Sequence, residues 1–74
     1  MQGILLNKLA IITTVLDEVM VIRDELKELD LFERFSFDIE RMAYVIYLKP
    51  VNSDNYNGLA ALINVNDYRL VTYH

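Results

Sequence analysis

A chain of 74 residues has room for one domain and one hydrophobic core. With no cysteine, and one histidine at the last position (His74), disulfides are excluded and a structural zinc site lacks its usual ligands. The net charge of −4, with seven basic residues scattered singly, argues against nucleic acid as a partner, and no motif marks a metal or cofactor site.

In chain order, residues 3–22 (GILLNKLAIITTVLDEVMVI) are long enough to cross a bilayer, but Lys8, Asp17 and Glu18 interrupt them, so no membrane segment is expected. No positive charge precedes the apolar run, as a signal peptide would require, and the expected location is the cytoplasm. Residues 4–30 hold neither proline nor glycine and repeat apolar positions at three and four, which predicts one long helix ending near Asp30. From Phe35 the period becomes two: Phe35, Phe37 and Ile39 alternate with Ser36, Asp38 and Glu40, as in a strand with one wet face. Met42 to Lys49 reads as a central strand ended by Pro50. Residues 51–58 carry the Asn, Ser, Asp and Gly of a loop, and Leu59–Val65 and Tyr68–Tyr73 flank Asn66-Asp67 as a hairpin. A rival assignment makes residues 54–63 a short helix capped by Ser53; Gly58 and the asparagines weigh toward strand. The expected fold is α+β, a single domain over 1–74 with one long N-terminal helix on a four-stranded antiparallel meander.

On a helical wheel the first segment shows two apolar stripes. Ile4, Ile11, Val15, Val19, Ile22, Leu26 and Leu29 form the stripe expected to face the sheet. Leu5, Leu9, Ile12, Leu16 and Val19, with Met20 beside them, form a second with the spacing of a coiled-coil seam. One sheet face covers one stripe, so the second is the expected interface of a homodimer. The composition agrees, because 54% apolar residues is high for a domain with so much surface for its volume.

Charge is uneven, with residues 17–40 holding nine acids against three bases. Asp24, Glu25 and Glu28 in that belt are candidate contacts for another protein. Tyr47, on the central strand, and Tyr56, in the polar loop, are candidates because tyrosine buries area at low entropic cost while keeping a hydrogen bond. No catalytic constellation is present: a triad needs an ordered imidazole, and two glycines do not make a phosphate loop. The expected function is therefore a non-catalytic interaction module, a homodimer acting as an accessory, regulatory or inhibitory protein on another protein. Small acidic chains of this kind are common among phage and mobile-element regulators. The alternatives are a small-molecule binder with a pocket between helix and sheet, lined by Phe35, Phe37 and Tyr44, or a structural subunit of a larger assembly.

Overall fold

The computed structural model describes residues 7–73. It consists of β1 (Leu9–Thr13), α1 (Leu16–Glu28), β2 (Phe32–Asp38), β3 (Ala43–Leu48), α2 (Ser53–Asn66) and β4 (Arg69–Thr72). All neighbouring strands pair antiparallel, in the order β2-β3-β1-β4. Each helix therefore links two parallel strands that have a third strand between them. This is the split βαβ, or ferredoxin-like, arrangement.

The α+β class and the four-stranded antiparallel sheet match expectation, but the order of elements does not. The expected N-terminal helix is a strand followed by a helix. Ile11, Ile12, Thr13, Thr14 and Val15 are five β-branched residues in succession, stiff at χ1 and poor helix formers. They favour β1, all of whose residues are buried. The Thr13 hydroxyl accepts from the Val15 amide at 3.1 Å and turns the chain into α1. Asp17 and Glu18 then fall in the first helical turn, where carboxylates complement the helix dipole. The apolar spacing of three and four across residues 9–15 arises because a strand buried on both faces is apolar nearly throughout.

The expected C-terminal hairpin is also corrected. Asn52 accepts from the Asp54 and Asn55 amides at 2.9 and 3.2 Å, while the Asn55 side chain accepts from the Asn52 amide at 2.9 Å. That capping box starts α2 one residue earlier than a Ser53 cap would place it. Asp67, left-handed at φ 56°, ends the helix instead of turning a hairpin. Gly58 sits inside α2 because of packing: a Cβ there would meet Leu29 Cδ2 at 2.8 Å.

Both helices pack on one face of the sheet. Val19, Ile22 and Leu26 of α1 and Leu59 of α2 meet Ile11, Ile46 and Leu48, closed off by Leu31 and Val51. The opposite face carries a smaller cluster, Ala10, Ile12, Ala43 and Val45, bordered by Tyr47, Val71 and Tyr73.

Candidate functional site

The largest group of exposed apolar side chains lies along the β2 edge. Among the described residues strand β2 pairs with β3 alone, and one side of its backbone has no strand beside it. Register places Phe35 opposite Ile46 and Phe37 opposite Tyr44, on the helix-bearing face. Helix α1 shelters them only in part, leaving Phe35 39% and Phe37 49% exposed. Phe37 meets Tyr44 edge-on at 5.1 Å. The Lys27 ammonium lies 5.6 Å over the Phe32 ring, which sets the side of α1 that borders β2. Met20 and Leu16 stand seven and eleven residues before Lys27, hence on that same side, and both are exposed.

The strip continues into the β2–β3 turn. Asp38 Oδ1 accepts from the Glu40 and Arg41 amides at 3.0 and 3.3 Å, and its other oxygen lies 3.4 Å from Arg41 Nε. Ile39 and Met42 at the tip are 75% and 65% exposed. Met42 has φ 52°, a region that disfavours an L side chain by about 1–2 kcal/mol. Glycine or asparagine would fit that backbone with less strain, yet the position holds a large exposed apolar group.

The helix-free face has a different chemistry. Arg34 and Ser36 lie opposite Tyr47 and Val45 there. The Arg34 guanidinium stacks 3.9 Å over Tyr47, whose ring meets Tyr73 edge-on at 4.9 Å. Arg69 pairs with Ile12 on the same face.

The residues expected to form the coiled-coil-like stripe are dispersed. Leu5 lies outside the described residues, as does His74. Leu9 and Ile12 belong to β1 and are buried, and Val19 is fully buried under α1. A helical seam through these residues does not exist, because β1 is not helical. Leu16 and Met20 alone stay on the surface, and they border β2.

The acidic candidates occupy other faces of α1. Asp24 is bridged to Arg23 at 3.0 Å, and Glu28 lines a groove of about 290 Å³ with Leu29, Ala61, Leu62 and Val65. Glu25 accepts a 2.8 Å bond from the Tyr68 hydroxyl, joining α1 to the start of β4. Burial, then that bond, then the charges of Glu25 and Glu18 push Tyr68 up to about 12. Tyr56 is on α2, not in a loop, and is half exposed. Tyr47 is half-buried beneath Arg34.

The space expected to hold a ligand, between α1 and the sheet, is filled by Val19, Ile22 and Leu26. Among the described residues, no group of three or more His, Cys, Asp or Glu side chains is placed to hold a metal ion. Among them too, no helix is long and apolar enough to cross a membrane. Residues 3–22, which have the length of a span, contain β1 and the first turns of α1. Against models of protein families, curated proteins and solved structures, the chain has no match.

Sequence reasoning missed the edge itself. The alternation of Phe35, Phe37 and Ile39 marked a strand with one apolar face; treating that face as covered hid the signal. Helix α1 is short and packs most heavily on β3, and Phe35 and Phe37 on the outermost strand stay partly exposed.

Proposed function

We propose that this chain is a small non-catalytic interaction module that works as a homodimer and acts as an accessory or regulatory protein on another protein. The observation that supports the reading is the row of exposed apolar side chains Phe35, Phe37, Ile39 and Met42 along β2 and its turn, with exposed Leu16 and Met20 on the β2 side of α1, beside an edge strand. A contiguous exposed apolar patch on a small soluble domain marks a contact surface. An open strand edge supplies backbone donors and acceptors to the same contact. Association through this strip leaves Asp17, Asp24 and Glu28 of α1 facing solvent, an acidic surface suited to a basic patch on the regulated protein. A cysteine-free chain needs no oxidising compartment, and the reading places it in the cytoplasm.

Light scattering on a sizing column across a concentration series tests the homodimer. The expected result is a mass of twice 8.7 kDa that falls toward 8.7 kDa on dilution. A monomer at every concentration refutes the homodimer. Charge reversal at Asp24 and Glu28 then tests the second surface: it should leave the dimer mass unchanged and abolish capture of the regulated protein.

A further inference from the structure

The edge strand is self-complementary in one register. We propose that two copies join their β2 strands antiparallel about a two-fold axis through Ser36, extending two four-stranded sheets into one of eight strands. The inference rests on the homodimer reading and deepens it by assigning the contact.

The argument begins with which edge is open to pairing. β4 is short, four residues, whereas β2 has seven and no proline, and its charges include the opposite pair Arg34 and Asp38 beside Glu33. Its irregularity against β3 lies between Phe32 and Arg34, so the regular stretch is Arg34–Asp38, whose middle residue is Ser36. A two-fold contact is isologous, so each residue must suit its mirror position.

About Ser36, Arg34 falls opposite Asp38 of the second copy, and Asp38 opposite the second Arg34. Both pairs lie on the helix-free face, where register with β3 puts these residues. Phe35 falls opposite Phe37 of the second copy on the helix-bearing face, giving two aromatic pairs. Leu16 and Met20 border these rows on each chain. Opposite charges and aromatic partners directly across an antiparallel pair are the combinations that stabilise it.

Neighbouring registers are poorer. Centring on Phe35 sets Phe37 against Glu33 and Arg34 against Ser36. Centring on Phe37 sets Arg34 against Glu40, which lies in the turn beyond the strand, and Asp38 against Ser36. Of the three centres, Ser36 alone pairs the regular stretch Arg34–Asp38 wholly with itself and sets Arg34 against Asp38 in both directions.

The test uses the absence of native cysteine. Residues on a two-fold axis face their own copies with Cβ atoms about 4.5–5.5 Å apart, within reach of a disulfide after small adjustment. Three variants, Ser36→Cys, Phe37→Cys and Thr72→Cys, are oxidised at a concentration where the mass of the unmodified chain has been measured. The expected result is rapid covalent dimer for Ser36→Cys and slow cross-linking for the other two. Adding Arg34→Glu, which sets two like-charged pairs across the axis, should lower the Ser36→Cys yield about tenfold. A dimeric chain whose Ser36→Cys variant does not cross-link overturns the register and leaves the homodimer standing. Faster cross-linking of Phe37→Cys overturns it in favour of the adjacent register. A monomer at every concentration overturns both.

Discussion

Replacing Tyr68 with phenylalanine isolates the bond that ties the C-terminal strand to α1. The hydroxyl donates to Glu25 Oε1 at 2.8 Å across 43 residues of sequence. A hydrogen bond to a charged acceptor contributes about 1.5–3 kcal/mol. Glu25 is half-buried and regains water when the hydroxyl goes, so Tyr68→Phe should cost about 1–2 kcal/mol at neutral pH. The pH dependence sharpens the test. Tyr68 is pushed up to about 12 from 10.0, first by burial, then by the bond to Glu25 and the nearby carboxylates. A phenol with a raised folded value favours folding fully below pH 10.0 and loses that contribution as pH rises through about 12. Urea unfolding of both proteins at matched concentration, from neutral pH upward, reads the difference directly. The gap should stay constant to about pH 10 and close by about pH 12. Parallel curves for the two proteins through that window would refute the reasoning.

Ile22 is fully buried beneath α1, so Ile22→Ala should cost about 2–5 kcal/mol, while the exposed neighbour Val21→Ala stays within about 0.5 kcal/mol; urea midpoints compare them. A domain this small has about 3–5 kcal/mol to lose, so Ile22→Ala should be largely unfolded by circular dichroism. At Gly58, alanine gains about 0.8–1 kcal/mol of helix propensity and forces Leu29 off its rotamer at about 0.5–1.5 kcal/mol. Gly58→Ala should therefore melt close to the parent and Gly58→Leu well below it. Phe37 is half exposed, and covering that half at about 25 cal/mol/Å² is worth about 2.5 kcal/mol per chain. Phe37→Ser should thus weaken self-association by at least about tenfold in a sedimentation series, while losing only the Tyr44 contact, about 0.5–1.5 kcal/mol, within the monomer.

Parts of this fold are legible in the sequence because one physical signal dominates them. The residues of β3 are β-branched or aromatic nearly throughout, and its observed limits, Ala43–Leu48, lie within one residue of the expected Met42–Lys49. The alternation from Phe35 marks β2, and the end of the helix near Asp30 coincides with a left-handed residue there. β1 was hidden because a strand apolar on both faces satisfies any spacing. The block of five β-branched residues before the Asp17-Glu18 pair carries the boundary more clearly than hydrophobic period does. α2 was the less favoured assignment for residues 54–63 because Gly58 and two asparagines, Asn55 and Asn57, weigh against a helix locally. Asn55 forms the capping box with Asn52, and Gly58 leaves room for the close approach of Leu29.

The candidate surface was half legible for the same reason. Leu16 and Met20 remain on the surface in the correct helix, whereas Leu9, Ile12 and Val19 are consumed by a core that the single-helix picture lacked. Phe35 and Phe37 were recognised as an apolar face, but their exposure follows from strand order. The order β2-β3-β1-β4 depends on crossovers through two helices, and one of those helices stood in the sequence only as the rival assignment for residues 54–63. Arg34 and Asp38 become partners only once Ser36 is known to centre the regular part of an edge strand.

Backbone hydrogen exchange at two protein concentrations tests the central claim most directly, because the molecule contains its own control. Both β2 and β4 are edges of the sheet, and in a monomer the outward amides of each exchange with solvent. Association through β2 predicts that amides within Arg34–Asp38 become protected as concentration rises, while those of Arg69–Thr72 exchange at an unchanged rate. Equal, concentration-independent exchange at the two edges would contradict the account.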